Sequence, residues 1–267
     1  MRAALAYELV RIRTIRSTWW LTGIAVVVGV GISTLFSWGL ATSFADSGPS
    51  GPPEVGAAVV TQLAATGQVP NIVCFVLAII GVLAWGHEYR HGMIRASLTA
   101  LTSRTALWAA KFLVVGVWVA VVAFVTFVIA GLVGTAFLSE WVDVFAGATW
   151  SVLAREVLYA VLLAWLAMAF TALTRSQAFA LVTLFLWPLL VENIVQLMFL
   201  LVPQLRDDRD VLRFLPFDAG ARMVDVLSHA TSTFGSPLSA LGGALVFGGT
   251  TLVLMVASLL AFRTRDA

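Results

Sequence analysis

The residues whose spacing most resembles a chemical site are His87-Glu88-Tyr89-Arg90-His91. On a helix this pattern sets two imidazoles one turn apart to hold zinc, with Glu88 as general base. A catalytic zinc takes a third protein ligand. The remaining histidine, His229, falls on the opposite side of the membrane in the topology derived below, and Gly92 tends to end the helix that would carry the ligands. A membrane zinc metalloprotease built on His87 and His91 is therefore the alternative reading. A second candidate is Glu192, the only acid well inside a predicted span, preceded by Pro188 and followed by Asn193. Counted from Ala178 it lies roughly 21 Å along a helix, about two-thirds of the way through a core of about 30 Å. A carboxylate at that depth is expected to face the bundle interior, a water-filled vestibule or a basic partner. The competing expectation is that the span ends near Leu190 and Glu192 opens an outer helix in water. The third is Lys111, the sole lysine. A phosphate-binding loop needs Gly-x-x-x-x-Gly-Lys-Ser/Thr, whereas Lys111 stands between Ala110 and Phe112. The chain has no nucleotide site of its own, and any ATP chemistry belongs to a partner.

These residues sit in a very apolar chain. Charged residues make up 11% and hydrophobic residues 60%, against roughly 25% charged in soluble domains. Several runs exceed the roughly 18 apolar residues that mark a spanning helix. They do not alternate as barrel strands do, and isolated strands in lipid would leave backbone groups unpaired. The expected fold is an all-α integral membrane protein, one domain over 1–267. Six spans are predicted at about 19–41, 70–86, 111–138, 152–173, 178–201 and 239–262. Tryptophans 19, 20, 38 and 85 mark span ends as an interfacial belt, while Trp118 and Trp165 fall inside spans as packing residues. The pairs Ala25/Gly29, Ala130/Gly134 and Ala244/Gly248 fit the small-xxx-small spacing that lets helices approach.

Residues 1–18 carry Arg2, Arg11, Arg13 and Arg16, with Leu5, Leu9, Ile12 and Ile15 at helical spacing. That is a basic amphipathic helix on the membrane surface, or simply a basic flank. Residues 87–111 form a polar, basic island. The loop 42–69 has acids and no Arg or Lys, and residues 203–237 mix four arginines with five aspartates. Eleven basic residues fall on the side of the N-terminus and five on the other, so both termini are expected in the cytoplasm. Cys74, the single cysteine, permits no intrachain disulfide.

Glu88-Tyr89-Arg90-x-Gly92-x-Ile94-Arg95-x-x-Leu98, followed by Ser103-Arg104 and Lys111, resembles the cytoplasmic segment of ABC-2 type transporter permeases. Met93 replaces the usual threonine, and Thr102 stands near where proline is common. Leu215-Pro216-Phe217-x-Ala219-Gly220 is similar to a family feature before the last span. The resemblance implies a short cytoplasmic coupling helix within 87–111 and an extracellular helical segment within 203–237. It implies an interface for a separate ABC ATPase formed by Arg11, Arg13, Arg16, Glu88, Gly92, Arg95, Leu98 and Arg104. It also implies a pathway between spans 2 and 5, where Trp187, Glu192 and Asn193 lie. The expected partners are that ATPase, which binds ATP and Mg, a second permease subunit (homo- or heterodimer) and the lipid bilayer, with no nucleic acid. No cofactor is expected in this chain. The expected role is ATP-driven export of a drug, antibiotic, lipid or other amphipathic substrate across a bacterial cell membrane. A non-transporting anchor or sensor subunit is the remaining alternative.

Overall fold

A computed structural model describes residues 1–47, 72–94, 103–140, 143–145, 147–224 and 238–264. Most of the loop expected at 42–69, the interface residues Arg95 and Leu98, the bulk of the expected coupling helix, and His229 lie outside the described residues.

The described residues form helices and no strand. Helix α1 is Arg2–Thr14, α2 is Arg16–Ser47, α3 is Ile72–Arg90, α4 is Arg104–Leu138 and α5 is Gly147–Thr174. Helix α6 runs Gln177–Leu201, α7 is Pro216–Val224 and α8 is Ala240–Thr264, with a 3₁₀ segment Pro203–Phe214 between α6 and α7. Helices α2, α3, α4, α5, α6 and α8 are each long and apolar enough to cross a membrane. The protein is a multi-pass, all-helical membrane protein.

Local chemistry sets the ends of these helices. Ser103 and Ser176 cap α4 and α6, their hydroxyls accepting from the amides of Ala106 and Phe179 at 3.3 Å. Each serine thus satisfies one of the free amides of a first turn. Helices α5 and α6 are joined by Arg175 and Ser176 alone, and Arg175 takes a left-handed φ of 54° to make that reversal. The guanidinium lies 6.0 Å from the ring of Tyr89.

Helices α3 and α5 form the centre, and α2, α4, α6 and α8 pack around them. The α3–α5 contact is close because Gly81 has no side chain: a Cβ there would collide with the carbonyl oxygen of Ala164. Gly243 does the same for α8 against Ala219 of α7. Of the small-residue pairs, Ala25/Gly29 faces Thr126 and Val73. The carbonyl of Ala130 accepts from Ser33 at 2.9 Å, which ties α4 to α2.

The tryptophans divide into two groups. Trp19, Trp20 and Trp38 are exposed, as a belt residue should be. Trp85 is not: it is fully buried, packed on Tyr89 and Phe262. Its place at the end of an apolar run resembled a membrane boundary, but α3 continues inward past it to Arg90.

Candidate functional site

The end of the bundle that carries the N-terminus holds a cluster of buried charge. Helix α1 turns Ala4, Glu8 and Ile12 toward the body of the protein. The expected apolar face was Leu5, Leu9, Ile12 and Ile15, so the helix is rolled to bring an acid inside. Glu8 meets Lys111, which projects from the second turn of α4, with Oε1 accepting from Nζ at 2.7 Å. Lys111 also donates to Glu88 Oε1 and, at 3.3 Å, to the carbonyl of Ala84. An ammonium group has three donors, and all three are used. Ala84 and Glu88 are one turn apart on α3, so a single face of that helix supplies both acceptors.

Arg11 completes the cluster, its Nε donating to Glu8 Oε2 at 2.6 Å. Two carboxylates and two cations leave no formal charge. The ammonium of Lys111 lies 5.0 Å from the centre of the Trp85 ring, where the face of the indole attracts it. Glu8 and Lys111 have no exposed surface, and Glu88 is 3% exposed. Charges buried to this degree are retained only when paired and hydrogen-bonded.

This arrangement gives intrachain partners to two of the residues expected at an ATPase interface. Glu88, expected to meet an ATPase, points inward and is held by Lys111. Its second oxygen has no hydrogen-bond partner among the described residues. Arg11 is likewise occupied by Glu8. Arg13, Arg16 and Gly92 are exposed and Arg104 is half-buried. Gly92 has φ +65°, and the amides of Gly92 and Met93 donate to the carbonyls of Tyr89 and Glu88. That is a Schellman end to α3, which needs a residue free to adopt the left-handed region. His87 and His91 stand with ring centroids 6.4 Å apart. Among the described residues no group of three His, Cys, Asp or Glu gathers, and Glu88 is bound to Lys111 rather than free to act as a base.

At the opposite end, α6 passes through one π-helical stretch, Trp187–Glu192. Pro188 cannot donate to the helix ladder, and the wider turn leaves carbonyls in need of donors. The side-chain amide of Asn193 donates to the carbonyls of Pro188 and Leu189 at 3.0 and 3.1 Å. Glu192 is 4% exposed and accepts from the amides of Phe217 and Asp218 at 2.8 and 2.9 Å. These are first-turn amides of α7, which begins with Pro216. Glu192 therefore caps a neighbouring helix, adding negative charge at the positive end of its dipole. It is neither a free vestibule carboxylate nor the start of an outer helix in water, because α6 continues to Leu201. Trp187 and Asn193 are exposed. Beside them a cleft of about 500 Å³ is bounded by Phe75, Phe185 and Phe217, with Glu192 and Asn193 in its wall.

Sequence reasoning took Glu192 for the only acid well inside a span. Glu156 on α5 is another, 1% exposed, and neither of its oxygens has a hydrogen-bond partner among the described residues. Its neighbour Arg155 turns instead to the carbonyls of Ser151 and Met223. The only signal in the sequence was an acid four residues into a predicted span, beside an arginine that seemed to place both in water.

Residues 24–267 match a family described as a protein of unknown function, DUF2705. No curated protein matches the chain.

Proposed function

The chain belongs to the DUF2705 family, and from the geometry above we propose that it is the membrane-spanning subunit of an ATP-driven transporter, with a separate ABC ATPase as its motor. The observation that carries this reading is the cluster of Glu8, Arg11, Glu88 and Lys111. One buried network joins α1, the end of α3 and the start of α4. Those three elements flank the segment that resembles the coupling region of ABC-2 permeases. A force applied there cannot move one of them without breaking buried charge pairs, so they travel together. Helix α3 packs on α5 and α6, which carries the displacement into the membrane.

The surface offered to the ATPase is the exposed side of this unit, including Arg16 and the turn at Gly92, with Glu88 and Arg11 holding it from inside. ATP and substrate then bias two packings of the bundle. The exported compound is hydrophobic or amphipathic, both termini are cytoplasmic, and a second permease subunit completes the pathway. The resemblance supports the substrate class and the second subunit, and the excess of basic residues on the N-terminal side supports the placement of the termini.

Met93, 52% exposed beside the Gly92 turn, is the position for a test. Cys74, the single native cysteine, is buried, so Met93→Cys introduces a unique reactive thiol. A bifunctional cross-linker applied to membranes of the native host should join it to a P-loop ATPase. The isolated chain should hydrolyse no ATP, and the joined complex should. Failure to capture an ATPase, or ATP turnover by the isolated chain, overturns the reading.

A further inference from the structure

Leu5, Leu9 and Arg13 follow one another at intervals of four along α1 and so form a line on one side of it. The adjacent line, Ala4, Glu8 and Ile12, is buried against the body. Because the ion cluster fixes the roll of α1, it also fixes the direction of the Leu5–Leu9–Arg13 line. That line borders a groove of about 510 Å³ closed on its other sides by Trp19 and Thr22 of α2 and by Leu113 to Val122 of α4.

The groove has one charged lining residue, Arg13, and no acid. Arg13 is exposed, and no carboxylate pairs with it among the described residues. The hydroxyl of Thr22 accepts from the indole N–H of Trp118 at 3.2 Å. The other walls are hydrocarbon and indole. Trp19 meets Trp118 edge-on with centroids 5.3 Å apart, and its N–H donates to the carbonyl of Arg13 at 2.8 Å. The corner between α1 and α2 is therefore held open as a fixed shape.

The length of the groove is informative. From Leu113 to Val122 a helix rises about 14 Å at 1.5 Å per residue, close to half of a hydrocarbon core of about 30 Å. An apolar slot one leaflet deep, with a single unpaired guanidinium at α1, matches one lipid: an acyl chain along α4 and a phosphate at the arginine.

We propose that the groove between α1, α2 and α4 is a binding site for an anionic phospholipid, with one acyl chain on Trp118 and Val117 and the headgroup phosphate on Arg13. Guanidinium forks onto phosphate oxygens in a bidentate way that an ammonium does not. A choline headgroup would bring its own cation toward Arg13, whereas a glycerol headgroup leaves the phosphate charge free. The site therefore selects phosphatidylglycerol over phosphatidylcholine of the same chains. Since α1 is the element that the ion cluster ties to α3 and α4, the lipid steadies that unit from the membrane side.

Native mass spectrometry of the intact chain in detergent, titrated separately with phosphatidylglycerol and phosphatidylcholine of identical chains, tests the assignment. The wild type should retain one phosphatidylglycerol per chain in preference, by roughly fivefold, which is about 1 kcal/mol for one arginine at an anionic surface. Arg13→Ala should abolish the headgroup preference and leave weak binding of both lipids. Val117→Trp, which places an indole in the slot at a position 62% exposed, should reduce both lipids alike. Arg263→Ala, at the far end of α8, should change nothing. An unchanged preference in Arg13→Ala, an equal loss in Arg263→Ala, or undiminished binding in Val117→Trp overturns the proposal.

Discussion

Replacing Lys111 by methionine keeps the length of the side chain and removes its charge. Glu8 then retains Arg11 at 2.6 Å, but Glu88 Oε1 and the Ala84 carbonyl lose the donor they share. Breaking a buried ion pair by removing one partner costs about 3–5 kcal/mol. The freed carbonyl adds to this, though not additively, because all three acceptors share one donor. At about 2–4 °C per kcal/mol for a chain of this size, Lys111→Met should lower the midpoint of thermal unfolding in detergent by on the order of 10 °C. Tryptophan fluorescence is a suitable probe, since the ring of Trp85 lies against the ammonium. Neutralising the stranded acid should reverse part of the loss, so Lys111→Met with Glu88→Gln should be more stable than Lys111→Met alone. Adding Glu8→Gln to that pair should lower the midpoint again, because it takes from Arg11 the carboxylate it is paired with. A midpoint for Lys111→Met within about 2 °C of wild type, a shift worth only about 1 kcal/mol or less, would refute the view that the cluster holds these three helices. So would a further loss on adding Glu88→Gln.

Four other substitutions probe the rest of the bundle. Glu192→Ala removes the cap of α7 and should raise amide exchange at 217–224 selectively, with a stability loss of about 1–2 kcal/mol; uniform exchange across the protein would count against a capping role. Gly81→Val drives side-chain atoms into the carbonyl of Ala164 and should abolish the folded bundle, whereas Gly31→Ala, with open space around it, should behave as wild type in size-exclusion chromatography. Glu156→Gln replaces a carboxyl that has no hydrogen-bond partner among the described residues with an amide of the same shape, so the thermal midpoint should stay level, since no hydrogen bond is lost; a marked fall would mean that the carboxyl is engaged.

The spanning helices were legible because a run of apolar residues is a one-dimensional signal. Every predicted span has its helix, displaced by a few residues at the ends. The break at Gly92 was also local enough to read. The cluster was not, because Glu8 and Lys111 are 103 residues apart and Lys111 and Glu88 are 23 apart. Each of those residues taken singly looks like a flanking charge at a membrane surface. Helix α1 misled for the same reason: its apolar residues suggest one face, but the partner waiting on α4 is a cation, and the acid wins the inward position. Glu192 lies within its span as read, but nothing in the run Trp187–Leu201 announces that the first amides of α7 will come to rest against it. The extended stretch past Trp85 hid a buried indole for want of any cue that a lysine would sit above it.

The separation between Glu8 and Lys111 has a consequence for how the protein is made. Glu8 leaves the ribosome first, and its lysine follows 103 residues later, after two spans have been threaded. Until then the acid has only Arg11, one turn away. When α4 arrives, Lys111 can meet Glu8 and Glu88 only if α3 and α4 have entered the bilayer in the orientation that returns them to the side of α1. A pair inserted the wrong way round would strand the lysine across the membrane from both its acids. Closing the cluster thus ties the placement of α1 to the orientation in which α3 and α4 lie.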